Sequence, residues 1–340
     1  MVQSQLEASA SDIAPGNSTP TADHFAKSRT QRAGDRASHY AMVGVLILVV
    51  IIAEIAHPGF LNRGNVSDII TQNAEVGLVA IGMTFVLIAG GFDLSVGGIF
   101  ALAGILYAYL AFKMPVGLAF LLMLPFAVAI GALNGAIITR LKVNAFVATL
   151  GSGSIFSGLA YVVSSNGAVF VEKASFPYLG TESFLGLRLT IWILAAAFIL
   201  GGFALAKTIY GRAVYTVGGN AEAARLAGMR VGLIQGSTYV LPALGAVLGG
   251  MLLASETHVG QANVGTEVTL NAIAVVIIGG TSLRGGHGAM WRTLVGLLIV
   301  GCVSNLLTLL ALNSALQSVV KGGIVILAVA IDSFTQHRRN

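Results

Sequence analysis

Ten apolar runs, each close to the length that crosses a bilayer, follow one another from Tyr40 onward with almost no charge inside them. A hydrocarbon core of about 30 Å takes about 20 helical residues to cross, fewer where a segment is partly buried in protein. The runs are Tyr40–Ala56, Ala74–Ala89, Leu94–Phe112, Val116–Thr139, Ala145–Val163, Ile191–Ala206, Gly232–Ala254, Val268–Ile278, Trp291–Leu312 and Ser318–Ile331. The eighth is short enough to be re-entrant. Only 10% of the 340 residues are charged, against about 25% in soluble domains, so the chain cannot cover itself for water. The pattern predicts an all-α polytopic membrane protein of about ten transmembrane helices. Its 43 glycines suit helices that pack backbone to backbone. The pairs Gly131/Gly135 and Gly245/Gly249 stand at the GxxxG spacing and are expected to pack within the chain.

An even number of crossings puts both termini on one side. Basic loops stay cytoplasmic. With the N-terminus inside, the outer segments hold Arg63, Lys113, Lys173 and Arg188, Lys321 lies near the mouth of the last run, and the other bases fall inside. The expected organisation is therefore a disordered cytoplasmic tail over 1–39, a transmembrane domain over 40–332 and a short cytoplasmic tail over 333–340. The longest outer loop is Ser164–Thr190. No charged n-region leads into a cleavable apolar segment at the start.

The polar stretch Gly211–Gly228 interrupts the apolar pattern on the inner side. It reads as a turn, broken by Gly218 and Gly219, followed by a short helix. Asn220 stands where an N-cap belongs. Glu222 in the first turn and Arg225 near the end suit the helix dipole, and Gly228 is a C′ stop. Ala221, Ala224 and Ala227 give one nearly smooth face. Such an element is either a docking peg or a solvated loop between two spans.

Two segments echo each other. Ile88–Leu94 reads IAGGFDL and Ile277–Leu283 reads IIGGTSL, each followed by a further glycine pair. Paired glycine interruptions in two halves of a transporter point toward a translocation path, which makes Gly90, Gly91, Asp93, Ser95, Gly279, Gly280 and Ser282 its candidates; chance in a glycine-rich chain is the other explanation. Asp93 is the one acid well flanked by apolar runs, whereas Glu54, Glu75, Glu256, Glu267 and Asp332 lie at or beyond run ends. It is placed to cap a helix starting near Leu94. Carriers driven by protons or ions keep buried charges for that purpose, and their scarcity argues against a secondary carrier. Catalysis finds no footing. The stretch from Gly201 to Thr208 has Ala206 where a phosphate loop has its last glycine and lies in an apolar run. The six histidines are scattered, and Cys302 is the only cysteine. No catalytic, cofactor or metal residues are expected, and no nucleic-acid partner.

The chain resembles the permease subunit of bacterial ATP-binding-cassette importers that take up ribose, xylose and related sugars. The resemblance rests on five segments in order: Gly90–Gly98 (GGFDLSVGG), Asn144–Val163 (NAFVATLGSGSIFSGLAYVV), Gly211–Met229 (ending in YTVGGNAEAARLAGM), Leu270–Gly288 (LNAIAVVIIGGTSLRGGHG) and Val319–Asp332 (VVKGGIVILAVAID). It implies a bacterial inner-membrane protein without an ATP site. It also implies a second permease copy, a separate ATPase subunit below, and a periplasmic sugar-binding protein above. The family's coupling segment falls on Gly211–Met229, so Gly211, Arg212, Gly218, Gly219, Asn220, Glu222, Arg225 and Gly228 inherit the ATPase-coupling role. That favours the peg over the loop. The alternatives are an ion-coupled secondary carrier, which transports alone and stops with an uncoupler, and a membrane scaffold or receptor with no solute flux. Phe92, Arg284 and Trp291-Arg292-Thr293 depart from the family pattern. The sugar itself is not legible.

Overall fold

The computed structural model describes residues 29–165 and 167–337. The chain divides into two units, Met1–Ala41 and Met42–Asn340. Of the tail expected over 1–39, residues 1–28 lie outside the described residues, and the first helix begins at Arg29. Residues 338–340 of the C-terminal tail lie outside them too.

The elements run α1 (Arg29–Ala56), α2 (Arg63–Gln72), α3 (Ala74–Ile88), α4 (Val96–Lys113), α5 (Val116–Thr139) and α6 (Ala145–Val163). Then come β1 (Ala168–Phe170), α7 (Tyr178–Thr181), β2 (Ser183–Phe184), β3 (Leu187–Arg188) and α8 (Leu189–Lys207). Three shorter helices follow: α9 (Ile209–Gly219), α10 (Ala221–Leu226) and α11 (Val231–Thr238). The chain continues with α12 (Val240–Thr257), β4 (Val259–Gln261), α13 (Gly265–Ile278), α14 (Met290–Leu309) and α15 (Ser314–His337). Among the described residues six helices, with α11 and α12 taken together as one, are long and apolar enough to cross a membrane. A seventh joins them if α2 and α3, bent by 51°, form one span. Ala41–Ala56 of α1 and α13 are apolar but shorter. The fold is that of an all-α polytopic membrane protein.

Helix α3 explains the packing. Every residue of it is buried, as expected of a helix that is apolar all round. It lies against α12, α13 and α8, and α12 also packs on α4 and α5. Glycines allow the close crossings. A Cβ on Gly131 or Gly135 would run into the backbone of Val240 or Gly236, and one on Gly245 would overlap the Leu78 carbonyl. Both GxxxG pairs are thus used inside the chain. The buried hydroxyls of Thr84 and Thr293, 2.7 Å apart, tie α3 to α14. The outer sides of α5, α6 and α8 instead expose Leu121, Val162, Ile199 and Phe203, side chains suited to hydrocarbon.

Asp93, flanked by apolar runs, is buried, and so is Glu75 at the start of α3. The outer loop Ser164–Thr190 contains β1, α7, β2 and β3. β1 pairs antiparallel with β4 in the register Val169 to Gly260. β2 and β3 form a hairpin, and Arg188 bonds Glu256 at 3.1 Å. The Lys173 ammonium donates to the carbonyls of Ala111 and Met114 at 3.1 and 2.8 Å, satisfying acceptors that the end of α4 leaves free.

Candidate coupling site and translocation path

Helices α9, α10 and α11 form a compact hand. Thr208 caps α9 by accepting a bond from the Gly211 amide at 3.1 Å. Asn220 caps α10 as its sequence position implies, its Oδ1 accepting from the Ala223 amide at 2.9 Å. Gly228 takes φ +81, the left-handed conformation that glycine adopts without a Cβ penalty. The Met229 amide then bonds the Ala224 carbonyl at 3.0 Å. Glu222 and Arg225 pair one turn apart on the exposed surface.

The three alanines of the smooth face differ in burial: Ala224 is buried against Val217 and Val231, Ala221 is half-buried beside it, and Ala227 is exposed. The small side chains of the first two let α10 sit tightly on α9 and α11. The presented face is Glu222, Ala223, Arg225 and Leu226, the last 81% exposed. The part read as a turn is instead helix α9, which stops at the expected break: Gly218 and Gly219 are its last two residues and Asn220 its C-cap. Gly211 is buried in the first turn of the same helix and Arg212 is exposed beside it.

Gly218 is a point of contact. A Cβ on it would overlap the Ile88 carbonyl oxygen and press on the Gly286 amide. That same carbonyl accepts a bond from the Gly286 amide at 2.8 Å. Gly285, at φ +85, abuts both Gly218 and Gly90. Three glycine pairs far apart in sequence therefore meet through main-chain atoms. Two side chains reinforce the joint. The Tyr215 hydroxyl donates to the Gly288 carbonyl at 2.8 Å, and Gln235 Nε2 on α11 donates to the Ala89 carbonyl at 3.2 Å.

The echoing segments share their geometry where they begin. At the end of α3 the amides of Gly90 and Gly91 bond the carbonyls of Leu87 and Val86 at 3.0 and 2.9 Å. At the end of α13 those of Gly280 and Thr281 bond Ile277 and Val276 at 2.7 and 3.2 Å. Gly90 and Gly280 have φ +79 and +77. Beyond that point they diverge. Asp93 is fully buried and its Oδ1 accepts from the Ser95 amide and hydroxyl at 2.8 and 2.6 Å. Asn134 Nδ2 donates to the Ser95 hydroxyl at 2.8 Å, and the Leu94 amide donates to Thr149 at 3.0 Å. Helix α4 starts at Val96 rather than near Leu94, so Asp93 braces the turn ahead of it instead of capping it. In the second segment the Ser282 amide bonds the His287 carbonyl at 2.9 Å, its hydroxyl accepts from the Arg284 amide at 3.2 Å, and Gly279 approaches the Arg292 backbone on α14. Gly90 thus meets α9 at Gly218 together with Gly285; Gly279 and Gly280 lie against Arg292 of α14; and Asp93 and Ser95 are buried in the bundle.

Sequence reasoning misses Tyr215, Gln235, Asn134 and Thr149. Asn134 and Gln235 carry a signal, a lone amide in an apolar or glycine-rich helix. Tyr215 and Thr149 carry none, because their partners are distant in sequence.

A membrane-embedded helical bundle with a structured appendage at one end defines the class, a membrane permease. Residues 65–329 match the family described as branched-chain amino acid transport system / permease component, and the chain belongs to that family. It is 38% identical over 294 residues to the ribose import permease protein of Bacillus subtilis (strain 168), covering 85% of this chain and 91% of that one. To the L-arabinose transport system permease protein of Escherichia coli (strain K12) it is 37% identical over 300 residues, 87% and 91% of the two chains. To the ribose import permease protein of the same strain it is 35% identical over 301 residues, 87% and 94%. No solved structure matches.

Proposed function

We propose that this chain is the transmembrane permease subunit of an ATP-binding-cassette importer and forms the path of a monosaccharide or polyol of the ribose or xylose kind. A periplasmic binding protein delivers the sugar, a second permease copy completes the path, and a separate ATPase subunit hydrolyses ATP. The protein sits in the bacterial inner membrane with ten spans, counting α1, α13 and α15, and with both termini in the cytoplasm. Relatives that import ribose and arabinose, matched over most of their length, support the solute class.

One observation supports the coupling role above the others. α10 is displayed on α9 and α11, and α9 is seated through Gly218 on the ends of both echoing segments. The ATPase grips Glu222, Arg225 and Leu226, with Gly211, Arg212, Gly218, Gly219, Asn220 and Gly228 shaping the element. Movement of α9 reaches Gly90, Gly91, Asp93 and Ser95 on one side and Gly279, Gly280 and Ser282 on the other, where the path opens and closes. Alternating access needs differential contacts in two states rather than a tight site in the permease.

The test is co-purification with the ATPase and sugar uptake in reconstituted vesicles. Glu222→Lys and Arg225→Glu each lower ATPase retention while the permease stays folded, and uptake requires ATP and ignores an uncoupler. Unchanged retention and uptake would remove the docking claim. Cys302 is buried, so Leu226→Cys gives a single reactive thiol. It labels from the cytoplasmic side only; labelling from outside overturns the orientation.

A further inference from the structure

We infer that the furrow between α5 and the α11–α12 pair binds one anionic phospholipid, its charged headgroup at Arg140 and an acyl chain along the glycine–alanine floor. The furrow is a cavity of about 530 Å³, within the usual range of ligand sites. Its floor is Ala132, Ala136, Gly232, Leu233 and Val240, and Arg140 stands in its wall. The floor is apolar because α5 crosses α11 at Gly135 and Gly236, where the backbones touch.

The polar atoms of the walls narrow the choice of occupant. Thr139 already donates its hydroxyl to the Gly135 carbonyl at 2.7 Å. Ser237 donates to Ile234 at 2.8 Å and meets the Tyr210 hydroxyl at 3.0 Å. That leaves the Arg140 guanidinium as the wall's free donor. Lys142 lies two residues beyond Arg140, and Arg230 two residues before Gly232, at the same end of the helices. All three bases are exposed, and among the described residues none has an ion-pair partner. A ligand here brings negative charge to one end and hydrocarbon to the other. Inorganic phosphate supplies only the first. A second copy of this chain brings mainly apolar surface: among the residues whose burial is described, Glu222 is the exposed acid at this end, and it is paired with Arg225. Basic pockets between membrane helices on the cytoplasmic side hold anionic headgroups for this reason. The site does not depend on the ATPase docking described above.

The experiment uses the full chain purified in mild detergent and exposed to equal amounts of phosphatidylglycerol and phosphatidylcholine, with the retained lipids quantified after gel filtration. The expected result is several-fold enrichment of phosphatidylglycerol that excess inorganic phosphate does not remove. Arg140→Gln with Lys142→Gln abolishes the enrichment and leaves the melting temperature in phosphatidylcholine unchanged. Ala136→Leu, which fills the floor and keeps the bases, lowers it as well; Gly232→Ala serves if that variant does not fold. Equal retention of the two lipids by the unaltered chain overturns the proposal, as does full enrichment in the double variant. Displacement by inorganic phosphate reduces the site to an anion site. A changed oligomeric mass in Ala136→Leu with retained lipid unaltered assigns the furrow to a second copy. Either of these also overturns it.

Discussion

The α3–α4 and α13–α14 connections leave their helices in the same way and then serve different neighbours. Each helix ends on a glycine in the left-handed conformation, Gly90 or Gly280, with the same pair of amides folded back onto the last turn. The first connection then buries Asp93, Ser95 and Asn134 in a bonded chain and fastens Leu94 to α6. The second stays nearer the surface, bonds within itself through Ser282, and gives Gly285, Gly286 and Gly288 to α9. One connection is anchored to the bundle and the other to the appendage.

The comparison is broken most severely at Gly218. Gly218→Val drives a side chain into the Ile88 carbonyl where both connections meet. Overpacking of this kind costs about 1–3 kcal/mol or more, so uptake is lost and the melting temperature falls. Unchanged uptake would mean that the joint is not a contact during transport. Asp93→Ala comes next. It leaves the buried Ser95 amide and hydroxyl without their acceptor, at a cost of about 1–3 kcal/mol. Thermal unfolding should register this loss, whereas Ser282→Ala in the echoing loop should shift stability by much less. Equal shifts would erase the distinction between an anchored and a surface connection. Tyr215→Phe removes only the bond to Gly288, about 0.5–1.5 kcal/mol. The fold and ATPase binding should survive while sugar moved per ATP hydrolysed declines. The smallest effect on stability belongs to Glu222→Gln. An exposed ion pair contributes about 0–1 kcal/mol, so the melting point stays put and ATPase retention drops.

Local chemistry was legible in the sequence wherever a residue acts on its own neighbours. Asn220 as a cap, Gly228 as a stop, Glu222 in the first turn and Arg225 in the last all follow from spacing, and the structure has them. Which of the three alanines packs was not legible. Spacing tells which residues share a side but not whether that side meets protein or solvent, and small residues suit either. Gly218 and Gly219 read as helix breakers because glycine is poor in isolated helices. In the fold, the close approach to Ile88 outweighs that propensity. Burial of Glu75 and the strands within Ser164–Thr190 depend on α12 and β4, remote partners that a local reading does not see. The membrane class, by contrast, follows from charge scarcity alone, and the family from five dispersed motifs.

The joint at Gly218 lies on α9 and is drawn mainly from main-chain atoms, while the exposed positions 222–226 belong to α10. On the proposed function the two are separable: a graft confined to positions 222–226 changes which ATPase is retained and leaves the main-chain contact as it is.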